Sequence, residues 1–564
     1  MIMMSRFFLF ILLSLLGINT SLTRCQTERI EIKTSSLVGR SGPILYQSFG
    51  MNAHLTFSCS NRYMDELCKS MSEAGVKIVR LDIYWSEKDM LLRQELYDKA
   101  AYYVTKYGME VEFSMPQIPL GKDDYFLEKW CKTIVHYAKR YDGKTVINLY
   151  NGEEPRGIRI NYFEIMNEPD GQRKNGLSVP YFFKLLKLST GAIRSCRHDA
   201  KVVMPGLCFN GKFDKELFEY RDRDRKTVAD YIDILNFHYY SDQSHDMWKS
   251  LNGWISLLHQ NDRLKEKPIW MTEFGHSLWN VSEKNQARFL PKEALAALSL
   301  GVEKVFYYQY HQFGGNLFGD RDQKEDFFGI IHYSNDNSYG SFYRNDGKYL
   351  TALSEGDGSK RIYITNKNKE YFSLYTLTES ICRELKENGV AIGGAGLTLN
   401  KVVLKKANGE EKLLCESKFK IPLKNKGHVL KLGPALFNDV KISDQLIVYI
   451  SNVKKNSQHW SGINPLLAYN SYKTLSSKVD NSICPQLIEN NYGITIFSWM
   501  FGTHRHYAVW ANNGNWKLKP SQHGKIIKCY DYLDSPMKID QNGIILSDNL
   551  IYIESDEELT FSNF

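Results

Sequence analysis

The chain has 564 residues, 43% of them hydrophobic and 24% charged, which excludes a largely disordered protein and predicts one large domain plus a smaller one. Its 72 Lys and Arg against 64 Asp and Glu give a net charge of +8. That basic excess is scattered without a long run, so nucleic acid is not an expected partner.

The first residues read as a targeting segment. Arg6 is the only charged side chain before the apolar run from Phe7 to Leu16, which is too short to span a bilayer. The sequence predicts a signal peptide over 1–25 and a secreted or periplasmic product; a membrane anchor through acylated Cys25 is the alternative. No second apolar run approaches the length of a transmembrane segment. Ten cysteines, widely spaced and without a CxxC pair, argue against a zinc knuckle or a disulfide scaffold.

From residue 46 the apolar period alternates between two and 3.6. A strand at 46–53 precedes a helix at 62–74, which has Met64, Leu67, Cys68 and Met71 on one face and ends at Gly75. A strand at 76–83 precedes a helix at 89–107, closed by Gly108. Then come strand 109–115, helix 125–140, strand 162–166, helix 180–194, strand 201–204 and a mostly helical stretch at 214–231. Strand 232–239, helix 247–259, strand 268–272, helix 283–300, strand 302–310 and helix 369–386 complete the alternation. Eight strands alternating with eight helices predict a closed (β/α)8 TIM barrel over 40–387. A doubly wound sheet is the rival, but no GxGxxG or GxxxxGK[ST] turn occurs. Residues 311–367 form a long connection of the kind that is usually functional. From 388 to 564, short alternating runs at 401–404, 445–450, 494–497, 506–510, 525–529 and 549–553 predict a C-terminal antiparallel β-sandwich, to which residues 29–33 add a strand.

In such a barrel chemistry sits at the C-terminal ends of the strands. Those ends carry Asn52 and His54, then Arg80, Asp82 and Trp85, then Gln117, then Asn167-Glu168-Pro169, then His238 and Tyr240, then Glu273, and last Tyr310-His311-Gln312. Glu168 and Glu273 close the fourth and seventh strands. Glycoside cleavage needs two such carboxylates, one to protonate the departing oxygen and one to attack or to activate water. The histidines show no HExxH or comparable ligand spacing and no GxSxG elbow occurs, so neither a metal, another cofactor nor a serine nucleophile is expected.

Phe163-Glu-Ile-Met-Asn-Glu-Pro-Asp170 resembles the acid/base motif of the clan of retaining (β/α)8 glycoside hydrolases with catalytic glutamates on strands four and seven (clan A). Ile269-Trp-Met-Thr-Glu-Phe-Gly275 resembles that clan's nucleophile segment. With a C-terminal sandwich, the chain is most similar to glycoside hydrolase family 39, which includes β-xylosidases and α-L-iduronidases. The resemblance implies Glu168 as acid/base, Glu273 as nucleophile and Asn167 on the sugar 2-hydroxyl. It also implies Tyr240 on Glu273, His238 beside it from the H-x-Y motif, and Arg80 supporting the nucleophile. Core packing of His238 and Tyr240, and an Arg80–Asp82 ion pair, are the plainer alternatives. His54, Trp85 and Gln117 are candidate subsite residues. The clan's strand-eight Trp is replaced here by Phe306-Tyr-Tyr-Gln-Tyr310, where Tyr308 or Tyr310 would take its place. An oligosaccharide or polysaccharide is the expected partner, attacked from a chain end as by a β-xylosidase. An arabinofuranosidase, a glucuronidase, an endo-glucanase or a non-catalytic sugar binder are the alternatives. The aromatic-rich 311–367 connection is expected to wall the pocket.

Overall fold

The computed structural model describes residues 31–33, most of 43–312, 328–334, separate strand segments between 349 and 455, and most of 462–563. Eight strands form one sheet: β1 (Phe49–Asn52), β2 (Ile78–Asp82), β3 (Glu110–Ser114), β4 (Tyr162–Glu164), β5 (Lys201–Val203), β6 (Leu235–Tyr239), β7 (Ile269–Phe274) and β8 (Val302–Tyr307). They lie in the order β5-β4-β3-β2-β1-β8-β7-β6, and every pairing is parallel. Parallel bridges Val203–Ile234 and Leu207–Phe237 join the two ends and close the barrel. Parallel strands have both faces covered, so they read as continuous apolar runs; β6 and β7 are buried along their whole length.

The covering helices are α1 (Asn61–Glu73), α2 (Gln94–Lys106), α3 (Asp124–Arg140), α4 (Val179–Cys196), α5 (Lys212–Glu219), α6 (Met247–His259) and α7 (Glu283–Ser299). Helix α1 buries Met64, Leu67, Cys68 and Met71, the face expected from the 3.6-residue period. Helices α4 and α7 start at Ser178 and Ser282, whose side chains accept from Tyr181 N and Asn285 N. Gly108 ends the α2 turn with φ +76°, a left-handed conformation that costs glycine little. The helix expected over 214–231 stops at Glu219, and a turn held by the Asp222 carboxylate leads to a short 3₁₀ turn at Val228–Asp230. An antiparallel hairpin, Asp142–Ile147 with Arg156–Arg159, precedes β4 and was not foreseen.

The helix expected over 369–386 lies mostly outside the described residues. Within 369–386 the described residues are a strand, Tyr371–Ser373, paired with Val429–Lys431; the rest of that stretch lies outside the described residues. The barrel's last position is filled by α8 (Leu467–Val479). Tyr472 Oη donates to Gly50 O at 2.9 Å, Ser476 Oγ to Ala74 O at 2.8 Å and Ser471 Oγ to Ala287 O at 2.7 Å, which seats α8 against α1, α7 and β1. Between β8 and α8 lies a long excursion whose described residues are almost all strand. His311–Gln312, Ile331–Ser334 and Gly462–Pro465 pair at its base, and Tyr349–Leu353, Gln445–Ser451, Leu397–Lys405 and Glu411–Ile421 form a further sheet. Those of these strands that lie after 388 were expected to belong to the same sandwich as the C-terminal ones, while those up to 353 fall in the stretch expected to be the connection to an eighth helix.

The C-terminal sheets begin at 486. One has five strands in the order Gln486–Asn490, Ile494–Phe501, His504–Ala511, Ile551–Ser555, Ile526–Asp531; the other has Glu31–Lys33, Thr560–Asn563, Trp516–Lys519 and Ile544–Leu546. The N-terminal strand thus pairs with Thr560–Asn563. Ile496, Tyr507, Val509, Trp516, Leu518 and Phe561 fill the space between the sheets. The opposite face of the five-stranded sheet carries Phe497, Trp499 and Trp510 into the barrel's own core cluster.

Candidate active site

Arg80 on β2 is the hub of the barrel mouth. It is 2% exposed and spends all three guanidinium nitrogens. Nε donates to Glu164 Oε2 at 2.6 Å, Nη1 to Asn52 Oδ1 at 2.9 Å and Glu273 Oε1 at 2.8 Å, and Nη2 to Ser114 Oγ at 3.0 Å and Asn167 Oδ1 at 2.7 Å. A planar fork suits this role because it holds several acceptors in fixed directions. Asp82 is only a distant partner at 4.0 Å, so the simple Arg80–Asp82 pair is replaced by a wider network. Asp82 instead holds His54 Nδ1 at 2.7 Å.

Glu273 stands on β7 just past a register shift against β6, between Met271 and Glu273. Such a bulge re-aims the strand, and both Thr272 and Glu273 reach His238. Glu273 is 6% exposed. Its Oε1 accepts from Arg80 and its Oε2 accepts from Tyr240 Oη at 2.6 Å, an arrangement suited to an ionised carboxylate. Burial pushes its carboxyl above the usual value, against the pull of His238 and Arg80. Burial and the Glu273 charge in turn hold the Tyr240 hydroxyl far above its ordinary value, so it stays a donor.

Glu168 lies four residues past the end of β4. Met166 and Glu168 adopt φ values of +75° and +45°, left-handed conformations that cost non-glycine residues about 1–3 kcal/mol each. This turn carries the Glu168 carboxylate to His238, whose Nδ1 lies 2.8 Å from Glu168 Oε1 and 3.4 Å from Glu273 Oε2.

The protonation of His238 follows from its neighbours. Asn236 Nδ2 donates to Glu164 Oε1 at 3.2 Å, so its Oδ1 faces Thr272 and accepts from Thr272 Oγ1 at 2.9 Å. Having given its proton away, Thr272 Oγ1 accepts from His238 Nε2 at 3.1 Å. Nε2 therefore carries hydrogen. Nδ1 then either donates to ionised Glu168 or accepts from protonated Glu168, and one proton lies between the two in both cases. Burial alone would lower His238, but the charges of Glu273 and Glu168 outweigh it and hold the imidazole above its ordinary value. Burial alone would raise Glu168; the His238 hydrogen bond and charge, helped by the Cys208 thiol, bring it down to about 2. Gly206 permits this packing, since a Cβ there would lie 1.9 Å from His238 Nε2.

An aromatic wall stands beside the carboxylates. Tyr308 Oη lies 3.3 Å from His54 Nε2, and the Tyr308 ring meets those of Tyr240 and Phe328 edge-on at 6.4 and 5.4 Å. Phe328 comes from the long connection after β8 and also packs on Tyr240. The other aromatic residues expected to wall the pocket from 313–327 and 335–339 lie outside the described residues, and nothing is described of the Tyr333 side chain.

Glu168, Glu273, Asn167, Arg80, His238, Tyr240 and His54 therefore converge as the sequence led one to expect. Trp85 and Gln117 lie outside the described residues. Tyr310 does not belong to the site: it is fully buried and its hydroxyl donates to Ser70 Oγ at 2.6 Å, on the α1 side. Strand β8 ends at Tyr307, so the two-residue alternation that would put positions 308 and 310 on one face has stopped. Sequence reasoning missed Glu164, Asn236, Thr272 and Cys208. Glu164 stands four residues before Glu168 in the same motif, which was the available signal. Cys208 carried none.

Three donors of mixed type meet here. A Glu168 carboxylate oxygen, Cys208 Sγ and a His238 ring nitrogen all lie within 4.8 Å of one another. They come from the ends of β4, β5 and β6, so no spacing in the sequence revealed the set where no metal site was expected.

Residues 144–321 match the family model described as glycosyl hydrolase catalytic core. No curated protein matches the chain. Among solved structures, a family 39 glycoside hydrolase from the gut symbiont Bacteroides cellulosilyticus WH2 is similar with a TM-score of 0.54 at 11% identity, over 90% of this chain and 81% of that one. A glycoside hydrolase family 30 subfamily 8 xylanase from Clostridium acetobutylicum gives a TM-score of 0.45 at 12% identity, over 92% of this chain and 98% of that one.

Proposed function

We infer that this glycoside hydrolase works by double displacement, with Glu273 as nucleophile and Glu168 as acid and then base. The observation that carries this reading is the shared His238 nitrogen. Glu168 Oε1 and Glu273 Oε2 lie 2.8 and 3.4 Å from the same atom. The facing oxygens of the two carboxylates are thus held close together, which accommodates the retaining gap of ~5–5.5 Å between carboxyl groups. Arg80 and Tyr240 occupy both oxygens of Glu273 and favour its ionised form until it attacks the anomeric carbon. The proton between His238 and Glu168 is the one passed to the departing oxygen. Asn167 and His54 border the same space and suit sugar hydroxyls. The wall of Tyr240, Tyr308 and Phe328 supports a pocket that takes a chain end, as in an exo-acting β-glycosidase such as a β-xylosidase. The apolar run at Phe7–Leu16 supports export of the enzyme.

A 2-fluoro glycoside tests the assignment. Peptide mapping is expected to find the sugar on Glu273, and Glu273→Ala to lose turnover. Glu168→Ala is expected to lose about 10²–10⁴-fold on substrates with basic leaving groups and far less on activated aryl glycosides. An adduct on another carboxylate, or product of inverted configuration, overturns the reading.

A further inference from the structure

We propose that Glu168, Cys208 and His238 form a Zn2+ site whose occupation shuts the enzyme off. Cys208 is a free thiol at the end of β5, and it hydrogen-bonds Glu168. Its sulfur, the Glu168 oxygen and the His238 nitrogen lie within 4.8 Å of one another. A tetrahedral zinc centre with bonds of ~2.0–2.3 Å separates its ligand atoms by about 3.4–3.7 Å. The three donors therefore need only small side-chain rotations, which widen the 2.8 Å gap between His238 and Glu168.

The donor set is one sulfur, one nitrogen and one oxygen. A borderline-soft cation takes such a set, whereas Mg2+ prefers oxygen alone. The imidazole is already oriented for it. Its Nε2–H is spent on Thr272 Oγ1, which leaves Nδ1 as the ligating nitrogen. Thr272 is fixed in turn by Asn236, the kind of outer support that metal-bound histidines use. The fourth corner opens toward Glu273 Oε2, at 3.4 Å from Nδ1, and is filled by that oxygen or by water.

Binding replaces protons by metal: the thiol releases one to solvent, and the proton between His238 and Glu168 is released as well. No redox change is involved. Inhibition rests on the acid role of Glu168, because the cation takes the place of the proton that role requires. Metal binding itself does not rest on that role.

Co2+ substitutes for Zn2+ as the spectroscopic probe on the full chain. Wild-type protein is expected to show a thiolate-to-cobalt charge-transfer band in the near ultraviolet that is lost in Cys208→Ser and in Cys208→Ala. Zn2+ is expected to inhibit hydrolysis of an activated aryl glycoside, with recovery on adding EDTA and no effect of excess Mg2+. Referred to each variant's own uninhibited rate, the inhibition constant should rise at least ~10-fold without the thiol. The proposal falls if wild-type protein gives no charge-transfer band, if the band persists without Cys208, or if Zn2+ inhibits wild-type and Cys208→Ser alike. A chain that turns over no glycoside still answers through the cobalt spectrum, so failure of the enzymatic reading is told apart from failure of the metal site.

Discussion

In the mechanism we propose, the proton between His238 and Glu168 decides the pH range in which Glu168 acts as an acid. That mechanism needs Glu273 ionised, and burial lifts its carboxyl above 4.5, so activity is expected to fall in acid as that group protonates. The His238–Glu168 pair must keep its proton, and the two carboxylate charges hold the imidazole above 6.5, so activity falls again as that proton leaves. These limbs belong to the coupled group and not to single residues. A bell-shaped profile of kcat/KM is expected, with its alkaline limb above pH 6.5. His238→Asn removes the nitrogen that stores the proton. Its alkaline limb should move to lower pH, with a loss of about 10-fold or more at neutral pH. An alkaline limb that stays in place in His238→Asn would mean that another group holds the proton.

Strand β3 shows how an element placed for its apolar residues carries a cost at one position. Glu112 lies fully buried between Val111 and Phe113, and neither carboxyl oxygen has a hydrogen-bond partner among the described residues. Burial, with the nearby Glu164 charge, lifts its carboxyl well above 4.5. For an acid raised on folding, the folded chain holds the proton more tightly than the unfolded one. Stability is therefore lost as pH rises from about 4.5 toward the folded value. Glu112→Met should raise stability by ~1–3 kcal/mol at pH 8 and by less at pH 5, read by thermal unfolding at both. A variant less stable than wild type at pH 8 would show that Glu112 has a favourable partner. The same scale shows what the sequence made legible. Eight strands with apolar cores bounded by helices at the right period were readable, as were Glu168 and Glu273 at their ends. Helix α8 was not. Ala468, Tyr472, Leu475 and Val479 do keep helical spacing, but they follow a long β-rich stretch, and local pattern carries no information on which distant helix fills a gap. Tyr310 was misjudged because alternation was extended past the end of β8. Cys208 stayed invisible because only the folded barrel brings β5 beside β4 and β6.

Across the whole molecule, barrel and C-terminal sheets share one continuous core. Trp499 Nε1 donates to Lys478 O at 2.9 Å, and Arg288 pairs with Asp548. Between them Lys292 is 2% exposed; its Nζ donates to Asp548 O at 2.8 Å and lies 4.8 Å over the Trp510 ring. Burial, with Arg288 nearby, lowers this lysine from 10.5 to about 7. For a base lowered on folding, the unfolded chain binds more protons between those values. Stability should therefore climb as pH rises from about 7 toward 10.5. Lys292→Met is expected to stabilise the protein by ~1–3 kcal/mol at pH 6, with the gain fading in alkali. A gain that grows with pH would contradict this. The contact between Tyr472 and Gly50 spans 422 positions of sequence and has a consequence for synthesis. A ribosome must extend the chain past Val479 before the last stave of the barrel exists, so helices α1 to α7 emerge around an open seam. Until then the apolar flanks of α1 and α7 that α8 covers face water, and closure is a late, long-range step of the kind that folds slowly. A chain ended at residue 387 should accordingly aggregate on expression. If it is instead soluble and shows the cooperative melting of a closed barrel, α8 is not needed to complete the fold.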